Sequence, residues 1–156
     1  MKRLIVGTAL AALSMLSHAL QPYFSADKVA GGDLKVAMAA AEQKLAAAGF
    51  TVVGRHAPAG IPGHGSIVVT EPGLTAALAQ IGGASVVGVP IRVGVKADGT
   101  VSFLNLEYWQ RALLRKDYAK ADAAVKAAAG KLQKALGAGK PFGGDVKAEE
   151  LAEYRY

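Results

Sequence analysis

The chain has 156 residues, a formal net charge of +6 and no cysteine. This length favours a single domain that buries a core without covalent staples. The absence of cysteine excludes disulfide bonds, thiolate metal ligands and a lipid-anchored cysteine. The basic residues are scattered lysines, mostly on one late helix, with no aromatic platform between them, so nucleic-acid binding is not expected. A weak attraction to anionic lipid or cell-wall polymer stays open.

The first 19 residues have the pattern of a secretion signal. Lys2 and Arg3 precede an apolar run at 4–16, and small residues stand before a cleavage point after Ala19. The run is shorter than the ~20 residues that cross a bilayer. We expect cleavage after Ala19 and a periplasmic or secreted protein with no stable membrane span. An uncleaved anchoring helix is the alternative.

Residues 20–32 form a predicted leader that is irregular or a short edge strand. Asp33 is a suitable N-cap, and apolar residues then recur at three- and four-residue spacing, which predicts a helix over 34–48. Gly49 is placed to end it. The further elements expected in chain order are strands at 51–56 and 66–70 around a loop at 57–63, a short helix over 72–81, a strand at 86–96, a turn at Asp98-Gly99, a strand at 101–106, and helices at 107–114 and 118–136.

Hairpins dominate this order, whereas regular strand–helix–strand crossovers do not. The pattern predicts an α+β fold, with an antiparallel sheet and helices packed on one face. We place this single domain at 33–137. Residues 138–156 are predicted to be a linker rich in proline and glycine with a short, partly helical tail.

Four stretches carry a likeness to a known family: Ala48-Gly49-Phe50, residues 67–72, residues 89–93 with Asp98-Gly99, and residues 104–109. Through them the chain, from Gly49 to about Gly137, resembles the family called domain of unknown function 302. Thr70-Glu71 departs from the Gly-Asn pair common in that family. The resemblance implies a two-layer topology like that of the TATA-binding protein, often as a homodimer, and it implies no activity.

His56 and His64 flank the loop at 57–63 and are a candidate metal pair. Zinc or copper accepts imidazole but requires further ligands, for which Glu71 is the nearest carboxylate. The alternative is two half-exposed loop histidines with no ligand role.

Arg92 lies in the middle of a predicted strand with apolar neighbours. Such a guanidinium needs solvent, a carboxylate partner or an anionic ligand. Glu71 and Glu107 are the candidate partners in the chain. A solvent-facing arginine on a half-buried sheet is the alternative.

Polar and aromatic residues cluster where the 101–106 strand is predicted to meet the next helix. A small-molecule pocket or a protein interface uses such a combination. The alternative is that the rings close one end of the core. The candidate ligand-binding residues are therefore Arg92, Asn105, Glu107, Tyr108 and Trp109.

No residue pattern indicates catalysis or a particular cofactor. Neither the Glu71/Glu107 pair nor Ser66 with His64 has the partners that acid–base or nucleophilic chemistry requires, and no phosphate-binding loop is present. Three hypotheses follow: a module that binds a small, anionic ligand; a dimeric interaction or accessory protein; and a metal-binding protein that uses His56 and His64.

Overall fold

The computed structural model describes residues 19–153. The predicted signal peptide therefore lies outside the described residues except for Ala19. The strands are β1 (Ala19–Leu20), β2 (Tyr23–Ser25), β3 (Thr51–His56), β4 (His64–Thr70), β5 (Ile91–Lys96), β6 (Val101–Leu104), β7 (Pro141–Phe142) and β8 (Val146–Lys147). The α-helices are α1 (Leu34–Ala47), α2 (Pro72–Ile81), α3 (Leu106–Leu114) and α4 (Tyr118–Leu136).

Six strands form one antiparallel sheet in the order β3-β4-β5-β6-β2-β7, and β1 pairs separately with β8. Helices α1, α2 and α4 pack together over one face of the six-stranded sheet. The predicted α+β fold, a two-layer arrangement with an antiparallel sheet, is confirmed. Among residues 19–153, no helix combines the length and the apolar character that a bilayer span requires.

Alternation along the central strands separates a core face from an exposed face. Residues 67, 69, 91, 93, 95, 101 and 103 are buried and belong to one hydrophobic cluster with the helices. The intervening side chains must point the other way, because successive residues of a strand alternate between faces. We call that second side the open face.

Local signals place the first helix as the sequence predicts. The Asp33 carboxylate accepts a hydrogen bond from the Val36 amide at 2.8 Å, and this satisfies a donor at the start of α1. Gly49 follows the helix with a φ of 87°, a value that favours glycine. Gly99 has a φ of 84° in the predicted turn between β5 and β6.

Three strand boundaries are wrong in the prediction. Strand β4 begins at His64, two residues before the predicted start at Ser66. The predicted strand at 86–96 begins only at Ile91, because Gly83–Gly88 is a 3-10 helix. The Ser85 hydroxyl donates to the Leu78 and Gly82 carbonyls and holds that turn against α2. The predicted strand at 101–106 ends at Leu104, because Asn105 is already the N-cap of α3.

The folded unit extends beyond the predicted 33–137 on both sides. Strand β2, from the predicted leader, lies between β6 and β7 and is therefore not an edge strand. In the predicted linker and tail, β7 adds a strand, and a 3-10 helix at Glu150–Glu153 carries the fully buried Leu151. Long-range pairing and burial, which local composition does not encode, hold both segments on the domain.

Candidate functional site

Two neighbouring rows of side chains cross the open face. In the first, Ser66 pairs with Gly94, and Gly94 pairs with Ser102. We call these three residues the serine row. The second row contains Val68, which pairs with Arg92. Leu104 continues it on β6. Residues that pair directly across antiparallel strands lie on the same side of the sheet, so both rows face outward together.

The serine row forms the floor of a shallow depression. Its three residues, with Arg92 and Tyr23, line a cavity of about 270 Å³. A side chain at Gly94 would meet the Ser102 Oγ at 3.1 Å, so glycine keeps this floor open. Within residues 19–153, neither serine hydroxyl has a hydrogen-bond partner. Both are therefore available to a bound group.

A larger cavity of about 430 Å³ lies over the row of Val68, Arg92 and Leu104, and we call it the Trp109 cavity. The sheet forms one wall, and α3 with the 3-10 helix before β5 forms the other. Its lining is mainly apolar and comprises Val68, Val87, Gly88, Pro90, Arg92, Leu104, Leu106, Trp109, Gln110 and Leu113. Arg92 and Leu104 line both cavities.

Arg92 has no ion-pair partner within residues 19–153, and its side chain is exposed. Both carboxylates predicted as its partners are bound elsewhere. Glu71 accepts from Lys131 Nζ at 2.6 Å, and Glu107 accepts from Arg111 at 2.7 Å. The guanidinium is thus the charged group that the two cavities share.

Trp109 forms a fixed aromatic wall. Its indole nitrogen donates to the Pro22 carbonyl at 2.9 Å. Its ring lies edge-on to Tyr108, with centroids 5.4 Å apart, and is tilted against Tyr23 at 6.1 Å. These contacts, which join α3 to β2, orient the indole before any ligand arrives.

Gln110 was missed by the sequence reasoning. It is 2% exposed, and its Nε2 donates to the Gly88 carbonyl at 2.6 Å. Its Oε1 has no hydrogen-bond partner among the described residues, although the side chain lines the Trp109 cavity. The available signal was its spacing from Leu106 and Leu113, which places a polar side chain within the apolar stripe of α3.

The structure brings two of the five predicted ligand-binding residues together, namely Arg92 and Trp109. Asn105 is buried, donates to the Gln21 carbonyl at 2.8 Å and caps α3. Glu107 pairs with Arg111 along α3, and Tyr108 packs in a second small core. These three do not line either cavity.

His56 and His64 are exposed on the open face, where His56 lies opposite Ser66 and His64 opposite Lys96. The His64 Nδ1 is 3.1 Å from the Pro62 carbonyl oxygen. Across residues 19–153, no cluster of three or more histidine, aspartate or glutamate side chains could hold a metal ion. Glu71, the predicted third ligand, is bound to Lys131.

A groove of about 490 Å³ between α1 and β3 is larger but less specific. The Arg55 guanidinium forms two hydrogen bonds to the Glu42 carboxylate, at 2.6 and 2.7 Å. Of its lining residues only Lys35, exposed on α1, is charged and has no ion-pair partner among residues 19–153. The groove therefore offers mainly apolar contact, whereas the open face offers fixed polar groups.

A scan against models of protein families found no match, and searches of curated proteins and of solved structures found none either. The resemblance to domain of unknown function 302 thus stays a prediction from the residues alone. The geometry of the open face is therefore the basis for a function.

Proposed function

We propose that this protein binds a small anionic molecule on the open face, with the anion over Arg92. The observation that carries the proposal is a guanidinium between two cavities that lacks a carboxylate partner within residues 19–153. By contrast, Arg55, Arg111 and Lys131 are all paired with glutamates.

Physical chemistry favours an anion at this position. The planar guanidinium presents paired donors that match a carboxylate, phosphate or sulfate. Apolar walls on one side of the guanidinium lower the local dielectric constant and so strengthen the attraction. The Trp109 cavity, at about 430 Å³, has the volume of a small-molecule site. Its apolar walls with few polar groups are also typical of such sites.

Gln110 gives a second, independent reason to expect a ligand. A buried acceptor without a donor costs roughly 1–3 kcal/mol in folding. This oxygen is buried as well as unpaired, so a donor on a molecule in the Trp109 cavity would offset that cost only after the Gln110 side chain turns toward the cavity. Polar groups of this kind fix the orientation of a ligand within an otherwise apolar pocket.

Replacing Arg92 with methionine is expected to weaken binding of naphthalene-2-carboxylate at least tenfold. Hydrogen bonds to charged groups contribute about 1.5–3 kcal/mol, which corresponds to a factor of roughly 10 to 100. Quenching of Trp109, the chain's single tryptophan, reports binding directly. Lys96→Met is the matched control, because Lys96 is a cation on the same face of β5, and it should change the affinity less than twofold. Equal affinities of Arg92→Met and the unchanged protein would contradict the proposal.

We further propose that the protein acts after export, in the periplasm or outside the cell, as the pattern of residues 1–19 indicates. The homodimer and the metal pair also remain predictions. Binding of zinc that is lost equally in His56→Ala and His64→Ala would support the metal hypothesis in place of the anion site.

A further inference from the structure

We infer that the ligand is an amphiphile, with one anionic head group over Arg92 and the serine row and an apolar body in the Trp109 cavity. This inference rests on the proposed function and narrows it from any small anion to one class of molecule. It also assigns an orientation to that molecule along β5.

The open face changes from apolar to polar along β5. Towards Pro90, the open face leads into the apolar walls of the Trp109 cavity. In the other direction along β5, the open face continues to the serine row, of which Gly94 is the β5 member, and then to the exposed Lys96. Arg92 lies at the boundary. A molecule that fills both cavities must therefore be apolar at one end and polar, with negative charge, at the other.

The spacing of the side chains around Gly94 fits a single head group. Successive outward-facing residues on one strand are about 7 Å apart. One carboxylate or phosphate can thus lie between the Arg92 fork and the hydroxyls of Ser66 and Ser102. Gly94 has no side chain to obstruct it.

The lining of the Trp109 cavity fits the apolar body of such a molecule. Leu104, Leu106 and Leu113, with the fixed Trp109 ring, belong to the apolar lining of the Trp109 cavity. Transfer of a methylene group from water into such surroundings increases binding about fourfold. A straight chain that enters this cavity should therefore gain affinity with each added carbon until the cavity is full.

The test uses hexanoate, octanoate and decanoate with the matching 1-alkanols. Each is titrated into the full-length protein below its micellar or solubility limit, and Trp109 fluorescence is the readout. We expect affinity to rise about tenfold or more per two carbons in both series. We also expect each carboxylate to bind at least tenfold more tightly than its alcohol. Arg92→Met should abolish the preference for carboxylate and leave the dependence on chain length unchanged. The double variant Ser66→Ala/Ser102→Ala should reduce that preference severalfold.

The outcomes separate this inference from the proposed function. Naphthalene-2-carboxylate could bind through Arg92 while the affinity of alkyl carboxylates does not rise with chain length. In that case the inference of an amphiphile is wrong and the proposed anion site stands. If Arg92→Met keeps the preference for carboxylate, the head group is elsewhere and both fail. Both also fail if the protein sediments with phosphatidylglycerol vesicles but binds no dissolved carboxylate, because a membrane surface would then be the partner.

Discussion

Replacing Glu71 with alanine is expected to lower the free energy of unfolding by about 3 kcal/mol. The side chain is 3% exposed, and its two oxygens serve two elements. Oε2 accepts from the Leu74 amide at 2.7 Å and caps α2, while Oε1 accepts from Lys131 Nζ of α4 at 2.6 Å. Alanine removes the cap, worth about 1 kcal/mol, and the tie between the two helices. Lys131 is half exposed, so water can hydrate its ammonium group once Glu71 is removed. The fall in the free energy of unfolding therefore stays below the largest values known for buried pairs.

The same contacts make stability depend on pH. Burial by itself raises the pKa of Glu71, but the hydrogen bonds from Lys131 and Leu74 outweigh burial and hold the pKa below its ordinary value of 4.5. A carboxylate with a lowered folded-state pKa stabilises the fold above its unfolded pKa. That stabilisation is lost as the pH falls from 4.5 through the folded value, and Glu71→Ala should flatten this part of the profile.

Urea unfolding followed by circular dichroism measures both effects. Glu150→Ala is the control, because Glu150 forms an exposed pair with Lys147 at 3.6 Å, and such pairs contribute roughly 0–1 kcal/mol. A Glu71→Ala protein that is no less stable than Glu150→Ala would show that the buried carboxylate does not tie α2 to α4.

Replacing Leu151 with alanine is expected to lower the free energy of unfolding by about 3 kcal/mol, although it lies in the predicted linker and tail. Leu151 is fully buried and packs with Tyr108 and Ala112 of α3 in the second small core. Leucine-to-alanine changes at such sites cost roughly 2–5 kcal/mol, through lost transfer energy and the cavity left behind.

The matched control is Val53→Ala, at a side chain that is 56% exposed on the edge strand β3. Val53→Ala should lower the free energy of unfolding only slightly, since surface substitutions usually change it by no more than about 0.5 kcal/mol. Chemical unfolding of both variants gives the comparison. Equal stability of the two would mean that residues after 137 do not contribute to the folded unit.

Elements with local signals could be predicted from the sequence. The Asp33 cap, the apolar stripes of α1 and α4, and the Asp98-Gly99 turn act within a few residues, so each can be read without knowledge of the fold. Strand β2 could not, because its three residues acquire strand structure only by pairing with β6 and β7. The β-branched pair Val86-Val87 favoured a strand, but the bonds of Ser85 and Gln110 hold that segment as a 3-10 helix.

The residues of the candidate site also fall into those that could be predicted from the sequence and those that could not. Arg92 and Trp109 were identifiable by residue type, since a charge among apolar neighbours and a lone tryptophan are conspicuous in any sequence. The serine row was not, because Ser66, Gly94 and Ser102 become neighbours only through the register of three strands. Gln110 could be recognised only from the correct start of α3, and the prediction placed that start one residue too late.

The most direct test of the central claim is a titration of the ¹⁵N-labelled protein with decanoate, followed by amide and indole chemical shifts. The account predicts saturable shifts at Ser66, Arg92, Gly94 and Ser102 and at the Trp109 indole, and Arg92→Met should need at least tenfold more decanoate to reach the same shifts. Shifts confined to the groove between α1 and β3, at Leu34 and Met38, would contradict it and place the apolar ligand site on the opposite side of the sheet.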